Sequence, residues 1–162
     1  MKSTDVRLYN VLFPIWLLWF IPLTWLVVLP GNFIIDLSVL FFTLKYLKVG
    51  ERKQICKKCI IRVWLCGFAA DLLGSLLMFT PTLLDINEDL ISAINMNPFD
   101  SIWAFIWATI CLVFAGICIY FFNLKYCLAN SDLDHAVKKK VALSMTIFTA
   151  PYLFYLPSEW FY

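Results

Sequence analysis

Five apolar stretches, separated by short polar segments, account for most of this sequence. They cover residues 9–29, 32–47, 60–79, 102–122 and 141–156. A helix needs about 20 residues, with a range of about 17–25, to cross roughly 30 Å of hydrocarbon. The first, third and fourth stretches are therefore long enough to span a membrane, and the other two are marginal. Helix is the expected conformation of each, because backbone polar groups in hydrocarbon must bond within the chain.

The composition indicates that lipid, not water, surrounds these stretches. Of the 162 residues, 62% are hydrophobic and 15% are charged, whereas soluble domains have about 45–50% apolar and about 25% charged residues. No connection is long enough to fold around a core of its own. The sequence therefore predicts an all-α fold, a polytopic membrane bundle of about five transmembrane helices in a single domain over residues 1–162.

The segment Pro30-Gly31-Asn32 follows the first stretch and predicts a tight turn between two antiparallel helices. The first stretch itself is too long for the apolar region of a cleaved signal peptide, and no small-residue cleavage site follows it. We therefore expect it to remain as a transmembrane helix. A short helix lying on the membrane surface is expected within residues 85–96.

The basic residues are confined to alternate connections. All 13 Lys and Arg residues lie near the N-terminus, around the connection of the second and third stretches (Lys45 to Arg62), or between the fourth and fifth stretches. The connection between the third and fourth stretches carries only acids: Asp85, Glu88, Asp89 and Asp100. The positive-inside rule then predicts a cytoplasmic N-terminus and an external C-terminus. This pattern favours a multi-pass protein of the bacterial cytoplasmic membrane over one of the endoplasmic reticulum.

Asp71 lies near the middle of the third stretch, where an ionised carboxylate costs roughly 2.5–3.5 kcal/mol on insertion scales. Gly67, Ala70 and Gly74 share its helical face, and such small residues let another helix approach closely. Three interpretations are open. Asp71 is a proton or cation site, a contact for a buried Arg or Lys of a partner, or a protonated acid hydrogen-bonded to a neighbouring helix.

Asp36 is the second acid within an apolar stretch, and it shares a polar stripe with Asn32 and Thr43. Counted at about 1.5 Å per residue from the outer end of its own stretch, Asp36 lies about 6 Å and Asp71 about 13 Å below the outer surface. We therefore do not expect the two carboxylates to touch, although water or an ion can link them. The favoured alternative is that Asp36 reaches the outer interface. No Lys or Arg of the chain is expected at either depth.

The fourth stretch carries a seam of small residues that includes Ala104, Ala108 and Ala115. Cys111 and Cys118 complete a spacing that alternates four and three, which is typical of left-handed helix packing. The helix that packs on this seam belongs to the same chain, to a second copy or to another membrane protein, and the sequence leaves the choice open.

Cys56 and Cys59 form a CxxC motif whose lysine neighbours favour the thiolate. Together with Cys127 and His135 they make a weak candidate for a Cys3His zinc site, because seven residues separate the second pair instead of two to four. The alternative is a set of ordinary thiols in a reducing compartment. We therefore predict no metal and no cofactor.

The basic segment from Lys45 to Arg62 favours contact with anionic lipid, and nucleic acid is not an expected partner. The sequence contains no Gly-rich phosphate loop, HExxH or GxSxG motif. Three hypotheses for function follow, in order of preference. They are a non-catalytic subunit or accessory component of a larger membrane assembly, a small proton- or cation-linked transporter centred on Asp71, and a membrane-embedded enzyme. Expected partners are the lipid bilayer and another membrane protein or a second copy.

Overall fold

The computed structural model describes residues 25–161, and every regular element in this part of the chain is helical. The main helices are α1 (Trp25–Tyr46), α2 (Arg52–Leu83), α3 (Glu88–Met96), α4 (Ile102–Phe122) and α5 (His135–Thr149). A π-helical turn, Asn123–Cys127, extends α4, and short 3-10 helices form at Pro98–Asp100, Tyr152–Tyr155 and Ser158–Phe161. The predicted all-α class is confirmed over these residues.

Three of these helices are long and apolar enough to cross a membrane: Val28–Tyr46 within α1, Arg52–Leu83, and Ile102–Cys127. These helices are typical of an integral membrane protein. The count of about five spans is not confirmed. The predicted helix over residues 9–29 lies largely outside the described residues, and residues 141–156 do not form one helix.

The predicted turn at Pro30-Gly31-Asn32 is wrong, because α1 runs through all three residues. Pro30 lies in the second turn of α1, where its missing N–H removes one helical hydrogen bond. Contacts with α2 support this part of the helix. The Trp64 indole N–H donates to the Leu29 carbonyl at 2.9 Å, and the Trp64 ring meets Phe33 edge-on at a centroid distance of 5.8 Å.

The fifth predicted helix begins and ends earlier than residues 141–156. Asp134 caps the N-terminus of α5, since its side chain accepts a hydrogen bond from the Ala136 N–H at 3.0 Å. The helix ends at Thr149 because Pro151 disfavours helical geometry at the preceding residue, and Ala150 is extended at φ −60° and ψ 151°. With 15 residues, α5 is about 22 Å long at about 1.5 Å per residue, shorter than the hydrocarbon layer.

The four long helices form a ring in which neighbours run antiparallel. α1 packs on α2 and α5, and α4 packs on the same two helices. The end of α1, the start of α2, the end of α4 and the start of α5 share one end of the bundle, called here the basic end. There Lys58 pairs with Asp132 at 3.1 Å. The opposite, acidic end carries α3 and its flanking loops.

The interior consists of two apolar clusters, one towards each end of the ring. The cluster near the basic end includes Leu40, Leu44, Val63, Val141 and Met145, and the other includes Met78, Ala108, Cys111 and Phe154. Large apolar side chains also cover the outside of the helices, among them Ile34, Phe42, Ile61 and Phe148. An outer surface of this kind suits lipid better than water.

Candidate functional site

The two acids within the apolar helices line a single cavity of about 490 Å³ between α1, α2 and the end of α5. Asn32 and Asp36 reach it from α1, and Gly67 and Asp71 reach it from α2. Residues 149–151 close another side. The structure therefore brings together Asp71, Asp36 and Asn32, the three residues that the sequence suggested for a proton, cation or partner contact.

Both carboxylates are withdrawn from solvent: Asp36 is 4% exposed and Asp71 is 5% exposed. The Asp71 Oδ1 atom is buried and has no hydrogen-bond partner among residues 25–161. In the described part of the chain, no Lys, Arg or His lines the cavity. An ionised carboxylate in such a place is costly unless a proton, a metal cation or a basic group neutralises it.

The position of Asp36 differs from the sequence prediction, and the reason is that α1 runs through the predicted turn at residue 30. Within the described residues the helix extends from Trp25 to Tyr46, so Asp36 lies at least about 16 Å from its N-terminal end at about 1.5 Å per residue. Counted back from Leu83, the last residue of α2, Asp71 lies about 18 Å from the same end of the bundle. The prediction that Asp36 reaches the outer interface is therefore wrong, since the structure buries it at about the level of Asp71.

Gly67 provides the space that the Asp36 carboxylate occupies against α2. A Cβ atom added at Gly67 would lie 3.3 Å from the Asp36 Oδ2 atom, closer than an ordinary van der Waals contact. Gly67 lies one helical turn before Asp71, on the same face of α2. The small residue thus allows a carboxylate from α1 to enter the cavity that Asp71 lines.

The interruption after α5 contributes the third wall of the cavity. The helix ends at Thr149, and Thr149, Ala150 and Pro151 all line the cavity. The C-terminal end of a helix carries a partial negative charge. In membrane transporters, ends of broken helices help to coordinate Na⁺ or protons. Sequence reasoning missed this feature because it treated residues 141–156 as continuous, although Pro151 was the available signal.

Small residues of α2 and α4 also pack on each other. Ala70 on α2 and Ala104, Ala108 and Ala115 on α4 are fully buried. A Cβ atom added at Gly74 would lie 2.9 Å from the Ala115 Cβ atom and 3.0 Å from the Phe154 ring. The seam on α4 therefore has a neighbour within this chain, and Phe154, from the 3-10 helix after α5, packs on the same contact.

The structure does not assemble the weak zinc candidate. Cys56, Cys59 and Cys127 lie in one buried cluster, whereas His135 is exposed at the first position of α5. Cys66 is half-buried and packs against the same cluster. Within residues 25–161, no three His, Cys, Asp or Glu side chains are grouped so that they can hold a metal ion.

The chemistry available in the cavity is that of oxygen ligands in a confined space. Two carboxylates, the Asn32 side-chain amide and the negative end of α5 surround it. Hard cations prefer such oxygen ligands, and carboxylates also take up protons.

Comparisons with known protein families, with curated proteins and with solved structures find no match to this chain.

Proposed function

We propose that this protein is a small multi-pass carrier that binds a proton or a monovalent cation between Asp36 and Asp71 and moves it across the membrane. One observation carries the proposal. Two buried carboxylates from different helices line one cavity, to which the described residues contribute no basic side chain. Acids within membrane helices that face a cavity are typical of ion pathways and proton relays.

Two further features support a cation as the ligand. The C-terminal end of α5 lies at the cavity wall, so its partial charge adds to that of the carboxylates. The carboxylates line one cavity, and Asp71 lies about 18 Å from the acidic end by helix rise, which is near the middle of a layer roughly 30 Å thick. Binding near the midplane beside an interrupted helix is characteristic of secondary transporters.

Ion flux into vesicles tests the proposal. Purified protein is placed in liposomes, and entry of H⁺, Na⁺ and K⁺ is followed after a gradient is imposed. We expect Asp71→Asn and Asp36→Asn each to lower the flux at least tenfold, because the amide keeps the size of the side chain but cannot be ionised. Asp89→Asn is the matched control, since Asp89 is exposed on α3.

Full flux in both folded asparagine variants would rule the carrier out. Equal loss in the Asp89→Asn control would also count against it, because that result would point to surface charge and not to the cavity.

A second candidate is a non-catalytic subunit of a larger membrane assembly. The same cavity favours it, because a membrane-embedded Lys or Arg of a partner would neutralise Asp36 and Asp71. The native particle, extracted from its source membrane in mild detergent and weighed, separates the two candidates. A stoichiometric partner that is lost from the particle of the Asp71→Asn variant would support the subunit hypothesis. A particle made only of this chain would support the carrier hypothesis.

In either role, the basic end faces the cytoplasm under the positive-inside rule. The bacterial cytoplasmic membrane is the host membrane in this proposal, and the whole chain forms one transmembrane domain. The basic segment from Lys45 to Arg62 then lies at the inner surface, where anionic lipid headgroups attract Lys and Arg. No enzymatic step is part of the proposal.

A further inference from the structure

A groove of about 670 Å³ runs along the outside of the bundle between α1 and α5. Its walls are Ser38, Val39 and Phe42 of α1, and Leu143, Ile147 and Phe148 of α5; this surface is called here the α1/α5 groove. It is separate from the carboxylate cavity, and Phe148 borders both. The groove opens outwards, where a transmembrane bundle meets lipid.

The α1/α5 groove offers an almost entirely apolar surface. The serine and threonine hydroxyl groups that line it are paired within the protein. Thr43 and Ser144 are hydrogen-bonded at 2.6 Å, and the Ser38 hydroxyl donates to the Ile34 carbonyl at 2.7 Å. Phe42 is 62% exposed and Phe148 is 66% exposed, so their rings stand as open walls instead of packing in the interior. A flexible apolar chain can fill such a groove without leaving a polar group unpaired.

The groove changes character at the basic end. Lys140 and Tyr46 line it there, one turn beyond the Thr43–Ser144 pair, and Lys45 is exposed in the last turn of α1. The ion pair found in the described part of the chain joins Lys58 and Asp132, so neither Lys45 nor Lys140 has a carboxylate partner among these residues. The groove is therefore positively charged at the basic end and apolar along the rest of its surface.

We infer that the α1/α5 groove binds an anionic phospholipid, with one acyl chain along Phe42, Leu143 and Ile147 and the phosphate beside Lys140 and Lys45. The charge at one end matches the headgroup, and the apolar surface beyond it suits an acyl chain. A phospholipid with no net charge fits the apolar part equally well but gains less from the lysines. One lysine near the surface favours an anionic lipid roughly fivefold.

The first test measures headgroup selectivity by native mass spectrometry of the detergent-solubilised protein. Phosphatidylglycerol and phosphatidylcholine with identical acyl chains are titrated separately. We expect phosphatidylglycerol to bind more tightly, and Lys140→Gln to weaken it roughly fivefold while leaving phosphatidylcholine unchanged. Lys139→Gln is the matched control, because Lys139 is an exposed neighbour that does not line the groove.

Equal binding of the two lipids by the unmodified protein would overturn the inference. So would an equal effect of Lys139→Gln and Lys140→Gln, which would mean that general surface charge attracts the lipid.

The second test identifies the occupant directly. A photo-crosslinking phenylalanine analogue replaces Phe42, and the protein is irradiated in vesicles of equal parts phosphatidylglycerol and phosphatidylcholine. We expect an adduct with the mass of phosphatidylglycerol. Ser38→Trp, which fills the groove, should abolish the adduct, whereas Ile34→Trp, on an exposed position one turn away, should leave it. An adduct with a second copy, with another segment of this chain or mainly with phosphatidylcholine overturns the inference.

Discussion

Gly74 lies where α2, α4 and the chain after α5 come closest together. An added Cβ atom would approach the Ala115 Cβ atom at 2.9 Å and two atoms of the Phe154 ring at 3.0 Å. Real Cβ atoms do not sit this close to other atoms, so the contact depends on the absence of a side chain. Association of membrane helices relies on close packing of this kind, because lipid tails are as apolar as the helices.

We expect Gly74→Ala to lower the free energy of unfolding by about 1–3 kcal/mol, since the added methyl group overpacks the contact. Denaturant unfolding in detergent measures the change. Gly31→Ala in α1 is the control, because no atom of the described residues lies within 4 Å of the added Cβ atom. Alanine there should be neutral or stabilising by about 0.5–1 kcal/mol, as glycine weakens a helix interior. Similar losses in both variants would contradict the packing argument.

At the scale of single residues, the sequence placed Asp71 better than Asp36. Gly67, Ala70, Asp71 and Gly74 follow helical spacing, and the structure buries that face of α2. The sequence predicts Asp36 at the outer surface because its depth is counted from the predicted turn at residue 30. Its burial depends on the continuation of α1 through Pro30 and on the space at Gly67, and neither is a property of the residues around Asp36.

The start of α5 depends on a cap, whereas its end depends on a proline. Asp134 satisfies the Ala136 N–H at 3.0 Å, and Pro151 sets the extended conformation of Ala150. Both signals are local and can be read in the sequence. Asp134 stabilises the start of α5 effectively, because Asp is among the preferred N-cap residues.

Removal of the cap should destabilise the protein more than removal of the nearby ion pair. We expect Asp134→Ala to cost about 0.5–2 kcal/mol of unfolding free energy. Asp132→Ala breaks only the Lys58–Asp132 pair, whose side chains are 59% and 81% exposed, and should cost about 0–1 kcal/mol. Thermal unfolding of both variants in the same detergent provides the comparison. A larger loss for Asp132→Ala would show that the loop, not the cap, supports α5.

Helix boundaries were predicted well where apolarity alone decides them. The structure has α4 at Ile102–Phe122, which is the predicted range. α2 starts at Arg52 instead of residue 60, because Lys and Arg interrupt an apolar run although they are good helix formers. α1 continues through Pro30 because contacts from Trp64 support that turn. Such tertiary contacts cannot be read from local sequence.

The basic residues of the described part of the chain lie towards one end of the molecule. Lys45, Lys58 and Lys140 lie at the basic end, while Asp85 and Asp89 lie at the acidic end with no basic residue in their connection. The antiparallel ring brings the two basic connections to the same end, because alternate connections lie on the same side of the bundle.

Cysteine labelling in sealed vesicles with the native orientation tests the direction of insertion. We expect a membrane-impermeant maleimide to label Asp89→Cys from outside, and to label Lys57→Cys only after the vesicles are opened. Both positions are exposed, whereas the six native cysteines are buried or half-buried, so the unmodified chain gives the background. The reverse pattern would invert the proposed orientation. Labelling of both variants from outside would exclude a single orientation for all molecules.

The 32 residues of α2 make it about 48 Å long at about 1.5 Å per residue, against roughly 30 Å of hydrocarbon. Even at a tilt of about 40°, the upper end of the usual range, about 9 Å of this helix must emerge from the hydrocarbon. Its first two turns carry Arg52, Lys53, Lys57 and Lys58, so the emerging part is ready for water and headgroups. The excess length of α2 over the hydrocarbon layer is thus its charged N-terminal end. The thickness of the host bilayer then determines how many of these side chains lie outside the hydrocarbon.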